Sequence, residues 1–423
     1  MKTCRGIFLA ALLLYIHPVF SQSVTSPYSY YGLGEIHDYS LAHNEGMGGL
    51  GIGLPNIYSI NNVNPAWLPY NVLSSFNVGV KSDLRTYATD SVTGSDGTGS
   101  IRYMVLSLPL INGKWGSSVS LLPYSTVDYR LRNISSIVGA PNGEVVSNEY
   151  SGSGGLSQVS WSHGLKLFKN FSIGLRTSYI FGSIIRNTSN WISQDTVQNI
   201  SNFSTDYQIE ETYRDFAFSA GLAYKLKIGE SNFLNIGATY DISTALTGVY
   251  TDQLRRLDPS GLEQSNISIS EDAPISYQLP QQIGLGFSYE KVNKLKIGAD
   301  AKMGQWSDGN DAISTQFKDV FGLAVGGEVT PEYNDVNSYL NRVTYRAGFN
   351  YDQLPYVING TDVNEIGINF GASFPAGGVS TLETSFRFGA RGTTDNNLIR
   401  ETFFQIVMGM TINDRWFVKR RYD

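Results

Sequence analysis

The sequence predicts an all-β protein: a 14-stranded antiparallel transmembrane β-barrel with an N-terminal hatch, or plug, inside its lumen. Three observations lead there. Period-2 alternation recurs from about residue 71 to the end, and helical periodicity is almost absent. The alternating runs are 10–19 residues long, whereas soluble strands cluster near about 5–6 residues and a tilted membrane strand needs about 9–11. Connections of 8–24 residues alternate with connections of 3–5, as the outer loops and periplasmic turns of a single-chain barrel do. One connection breaks that rule: Thr330 to Leu340 is long where a short turn is expected.

Composition narrows the class. Charged residues are 16% of the chain, glycine is 44 of 423 residues, and Tyr alone contributes 26. A mean hydropathy of −0.15 excludes a helical multi-span protein. The net charge of −6 leaves no basic footprint for nucleic acid. A lone Cys4 excludes a disulfide framework and a cysteine-based metal site, and no cofactor or metal is expected.

The elements follow in order. Residues 1–21 read as a secretory signal peptide, with Lys2 and Arg5 ahead of an apolar run from Ile7 to Ile16 that is too short to span a bilayer. Residues 22–70 lack clean alternation and are rich in glycine (Gly46, Gly48, Gly49, Gly51 and Gly53 among them), which suits a compact hatch whose backbone must approach the wall closely. Residues 71–413 form the barrel. Its last run sets Phe404, Ile406, Met408, Met410 and Ile412 against Gln405, Val407, Gly409 and Thr411. Residues 414–423 make a basic periplasmic tail, Lys419-Arg420-Arg421.

The face alternating with the apolar one would line the lumen. In the C-terminal half it carries Lys296, Asp300, Lys302, Arg346, Glu365, Glu383 and Arg387, which would cost several kcal/mol on the lipid side. Facing inward, they form a polar network that holds the wall, docks the hatch or lines a permeation route. His37 and His43 lie near Glu35, Asp38 and Glu45, but no triad or metal-ligand spacing emerges, so no enzyme activity is expected. His163 shares a face with Val159 and Trp161 near a strand end and reads as an interfacial residue.

Asn64-Pro65-Ala66, just before the first strand, resembles the NPA element of FadL-type outer-membrane transporters. Pro65 fixes φ and pushes Asn64 toward an extended conformation, a rigid elbow that anchors hatch to wall. Ser26-Pro27-Tyr28-Ser29-Tyr30-Tyr31-Gly32-Leu33-Gly34 and Gly409 to Phe417 are similar to the Bacteroidota branch of that family. The resemblance implies an outer-membrane location in a Gram-negative bacterium and uptake of hydrophobic, fatty-acid-like molecules. It also implies lateral release through a kink in the third strand, where Pro123 stands. By position alone it places outer substrate contacts in loops 187–207 and 251–274, at Trp191, Ile192, Leu254 and Leu257. Its partners would be outer-membrane lipid and a hydrophobic small molecule. The charged inner face, the long outer loops and the basic tail also suit an alternative reading: a non-transporting FadL-like subunit of an outer-membrane secretion or assembly complex, as in type IX secretion, partnered by other outer-membrane or periplasmic proteins.

Overall fold

Alternating runs this long satisfy their backbone groups only by pairing with neighbours on both sides, and in a closed ring no edge is left over. In the computed structural model, which describes residues 26–90, 92–139, 144–194, 204–258, 260–307 and 317–415, the chain does this with 14 antiparallel strand paths. The expected signal peptide and nearly all of the expected tail lie outside the described residues.

The first seven paths are β1 (Ser74–Ala88), β2 (Thr93–Ile111), β3 (Trp115–Thr126, continued by Tyr129–Ser136), β4 (Glu144–Lys166), β5 (Phe171–Gln194), β6 (Ser204–Lys227) and β7 (Asn232–Asp241, continued by Thr244–Leu257). The second seven are β8 (Glu263–Leu279, continued by Gln281–Lys291), β9 (Leu295–Gln305), β10 (Val320–Val329), β11 (Thr344–Ile358), β12 (Thr361–Gly377), β13 (Ser380–Arg391) and β14 (Arg400–Asp414). The ring closes where β14 pairs with β1, from Arg400↔Ala88 to Asp414↔Ser74. β8 is interrupted at Pro280, which has no N–H for the ladder.

Alternation sorts side chains as expected. On β14, Glu401, Phe403, Gln405 and Val407 are buried inside, whereas Met408, Met410 and Ile412 are exposed outward, where lipid would meet them. Near the short-turn end, Trp161 and Trp115 flank His163, with Trp161 and His163 ring centroids 4.7 Å apart.

Two expectations are corrected. The supposed outer loops are largely β-hairpin extensions: β2 begins at Thr93, eight residues earlier than its apolar alternation, and β5 runs through Trp191 and Ile192. Beyond the lipid a ladder persists on backbone hydrogen bonds alone, so Thr, Ser and Asn replace the apolar face and erase the sequence signal. The third strand is not continuous from 114 to 130 but breaks between Thr126 and Tyr129.

Residues 26–73 are mostly buried, and their partners lie on inward-facing positions of strands all around the ring. The space that serves as the molecule's core is therefore the lumen. Leu41, Ile60 and Leu68 pack there against Tyr103, Leu122 and Val407 of the wall.

Candidate functional site: a pinned lumen and a seam in the wall

The N-terminal segment runs down the lumen, from the long-hairpin end to the short-turn end. At the top, Ser26 Oγ donates to Glu401 Oε1 (2.6 Å) and Tyr28 OH donates to the Ile399 carbonyl (2.6 Å). Below them, Leu33 packs with Tyr129, Leu156, Ile180, Tyr213 and Tyr277 in an apolar cluster. Arg186 of β5 donates to the Gly32 carbonyl and pairs with Glu211.

The middle third is ionic. Glu35 accepts from Arg85 of β1 (2.9 Å) and Arg391 of β13 (2.8 Å). Arg102 of β2 donates to Asp38 (3.1 Å) and Glu45 (2.9 Å). His43 meets Glu383 at 3.4 Å, and the same carboxylate accepts from Ser59 (3.1 Å). Asp300 of β9 accepts the backbone N–H groups of Gly51 (2.7 Å), Ile52 (2.8 Å) and Gly53 (3.3 Å). Arg176 of β5 lies 3.7 Å from the Tyr39 ring centroid and donates to the Asn62 and Val63 carbonyls.

These charges settle one another. Burial opposes ionisation of Glu35, but Arg391, Arg85 and Lys81 hold its carboxyl well below the usual range. Burial likewise works against Asp38, and Lys302 with Arg102 outweighs it, bringing the pKa to about 2. Burial, with Arg102 and Lys81 nearby, pushes His37 down to about 3. His37 and His43 do not converge: the first contacts Thr126 (2.9 Å), the second Glu383.

Asn64, Pro65 and Ala66 sit at the elbow. The Asn64 side chain donates to the carbonyls of Ile52 (3.0 Å) and Leu222 of β6 (3.0 Å), and accepts the Ala66 N–H (3.0 Å) to cap the turn Pro65–Tyr70. One glycine shows how tight the fit is. A Cβ on Gly237 of β7 would stand 1.8 Å from the Ile52 carbonyl oxygen, so only glycine admits the segment there.

The other lumen residues pair within the wall. Lys296 and Arg346 share Glu328 at 2.9 Å each, and Arg387 and Arg391 share Glu365. Lys302 faces Asp38, Asp352 and Asp300 across a cavity of about 380 Å³.

Pro123 lies where two ladders of the wall change. The β2–β3 ladder ends at Met104↔Leu121, and β3 shifts register against β4 between Pro123 and Ser125. Beyond that point the outer part of β2 pairs with β1, and Tyr129–Ser136 pairs with β4. The seam between them is entered from inside: Glu35 and Ile36 of the N-terminal segment pair with Thr126 and Ser125, and the His37 N–H donates to the Tyr124 carbonyl (2.9 Å). Ile36, His37 and Tyr124 also line the cavity, so the cavity reaches the seam.

The structure does not gather Trp191, Ile192, Leu254 and Leu257. They stand on β5 and β7 with β6 between, Trp191 lies under Arg132 (5.1 Å), and none joins an apolar cluster among the described residues. Sequence reasoning missed Arg85, Arg102, Arg176, Arg391 and Glu401. The same alternation would have found Arg85, which shares the inward face of Asn77 and Asp83 on β1.

The model of the BamG family matches residues 3–423. The chain belongs to that family. Solved structures give the same fold at low identity. A toluene transporter TodX of Pseudomonas putida matches with TM-score 0.58 and 16% identity over 91% of this chain and 100% of its own. A FadL homologue of Pseudomonas aeruginosa gives 0.57 and 16%, over 90% and 100%. The CymD monoaromatic hydrocarbon channel gives 0.54 and 13%, over 91% and 99%. No curated protein matches the chain.

Proposed function

We propose that this BamG-family member is exported by its signal peptide to the outer membrane of a Gram-negative bacterium, within the Bacteroidota-like branch. There it works as a closed, FadL-like barrel, a non-enzymatic subunit of an outer-membrane protein secretion or assembly complex. Residues 22–70 are its hatch, anchored through Asn64, Pro65 and Ala66. The observation that carries the reading is the ionic pinning of the hatch.

Glu35–Arg85, Glu35–Arg391, Arg102–Asp38, Arg102–Glu45, His43–Glu383 and Asp300 with its backbone donors tie the segment to four strands of the wall, β1, β2, β9 and β13. At about 1.5 kcal/mol for each charge-assisted contact, withdrawing all six costs about 9 kcal/mol. The withdrawn population is then on the order of 10⁻⁶ or less, since each 1.4 kcal/mol is a factor of about ten. A neutral apolar molecule entering the cavity would meet Asp38, Lys302 and Asp352 without hydrogen bonds to offer them.

A second reading has its own observation. The seam beside Pro123 reaches the cavity, and the fold is that of channels for hydrophobic molecules. On that reading the hatch shifts locally and a fatty-acid-like or aromatic molecule leaves through the wall. Native mass spectrometry of the barrel purified in mild detergent separates the two. A stoichiometric protein partner on a ligand-free barrel supports the subunit; an acyl-chain or aromatic ligand retained by a lone barrel overturns it and favours the channel.

A further inference from the structure

At the short-turn end, strands are joined by connections of two to four residues, except that β10 and β11 are joined by residues 330–343. This connection is folded. The Asp335 carboxylate accepts from the N–H groups of Asn337 (2.7 Å) and Ser338 (3.1 Å) and from the Asn341 amide (2.6 Å). Glu332 N–H donates to the Asn341 carbonyl (2.8 Å), and Tyr339 OH ties the connection to the Pro375 carbonyl (2.9 Å). Yet it turns Val336 (89% exposed), Leu340 (62%) and Tyr339 (45%) outward. A rigid connection that keeps apolar side chains in the open is preorganised for contact, because little ordering remains to be done on binding.

Beside it lies a cavity of about 260 Å³. Tyr333 of the connection stacks on Tyr58 of the N-terminal segment at its edge, with ring centroids 5.8 Å apart. The carboxylates that line it are spoken for: Glu328 holds Lys296 and Arg346, and Glu290 holds Lys225. Three of its cations, Lys291, Lys294 and Arg342, are not, although Arg342 also lies 5.4 Å from the Tyr339 ring centroid. Among the described residues neither Lys291 nor Arg342 has a carboxylate within ion-pair distance, and Lys294 reaches only the Pro331 carbonyl (2.6 Å). Arg342 Nε and Thr381 Oγ1 are buried against the cavity without a hydrogen-bond partner. A buried donor without an acceptor calls for one from outside.

We propose that this face docks an acidic, extended polypeptide segment of a partner protein. Carboxylates of the segment meet Arg342, Lys291 and Lys294, and alternate apolar side chains rest on Val336, Tyr339 and Leu340. The proposal rests on the subunit reading and names where a periplasmic partner is held.

The test uses the folded full chain in nanodiscs and fluorescein-labelled twelve-residue peptides, alternating Asp/Leu or Lys/Leu, followed by anisotropy. The Asp/Leu peptide is expected to bind at least tenfold more tightly than the Lys/Leu peptide. Arg342→Ala and Leu340→Asp should each weaken it at least tenfold with unchanged melting temperature. Equal binding of the two peptides, or binding indifferent to both variants, overturns the proposal. So does binding that appears only in anionic nanodiscs and vanishes in zwitterionic ones, which would make the face a lipid contact. Native mass spectrometry keeps the two claims apart. A partner that stays bound to both variants sinks this face and leaves the subunit reading; peptide binding without any native partner does the reverse.

Discussion

The β13–β14 pair and the β2–β3 pair are built from similar alternation but end differently. β13 and β14 hold one unbroken ladder from Thr381↔Thr411 to Arg391↔Glu401. β2 and β3 part after Met104↔Leu121, and the N-terminal segment supplies Glu35 and Ile36 to the exposed edge of β3. A wall strand can thus be completed by its neighbour or by the lumen's own occupant. In the second case the integrity of the wall and the position of the N-terminal segment become one quantity. The shared charges make this explicit: Glu35 beside the seam is held by Arg391, which stands on the intact pair.

The strongest way to break the comparison is Gly237→Val. Its side chain must displace the Ile52 carbonyl, so the segment is expected to leave the lumen. Chymotrypsin, which cuts beside Tyr, Trp and Leu, should then cleave within residues 26–70 while amide exchange in β13–β14 stays slow. Protection of residues 26–70 from cleavage would show that the wall yields around the new side chain and the segment stays in place.

Next in size is Glu35→Ala. It removes one acceptor from two buried guanidiniums that retain Asp83, Glu365 and Glu401, so the loss should be about 3 kcal/mol, at the lower end for breaking a buried pair. Thermal unfolding followed by tryptophan fluorescence reads it, and faster exchange at Ser125 and Thr126 should accompany it.

Acidification should loosen the seam in two stages. His37 has its pKa pushed down to about 3, so a released segment binds a proton that the docked one refuses. Docking therefore weakens as pH falls from about 6.5 toward 3, and His37→Gln should remove that stage. Asp38 is lowered to about 2 and Glu35 is also lowered, so their contribution is complete above their ordinary values and lost as pH falls below about 4. The melting temperature measured between pH 8 and 3 checks both stages.

The smallest effect is expected at Pro123→Ala, under about 1 kcal/mol, because restoring one N–H does not remake a ladder whose place the N-terminal segment holds. Closure of the seam in the variant, seen as new protection between β2 and the Tyr129–Ser136 stretch, would make the proline its cause.

Much of the wall was legible because lipid imposes a period-2 code. On β1 the outward positions Phe76, Val78, Val80 and Leu84 are apolar, with Ser82 the exception, while Asn77, Asp83 and Arg85 face inward. The same code placed Asp300, Arg346 and Glu383 inside. It lapses above the membrane, where β5 and β7 continue on backbone bonding alone, and so Trp191 and Leu254 read as loop residues in the sequence although they stand on strands.

Sequence by itself determined the strand number, the closure of the sheet, the polar interior and the glycine-rich segment that had to sit close to a wall. These follow from local rules: each residue answers to lipid, to the lumen or to its own φ. Tertiary structure alone decided that Glu35 would find Arg85 and Arg391, 50 and 356 residues away, and that Asp300 would receive the donors of Gly51 to Gly53. It alone decided that the seam beside Pro123 would be filled from within. Pairing partners across a closed ring depend on register and on which plug geometry satisfies every buried charge at once, and no periodicity along one strand records that.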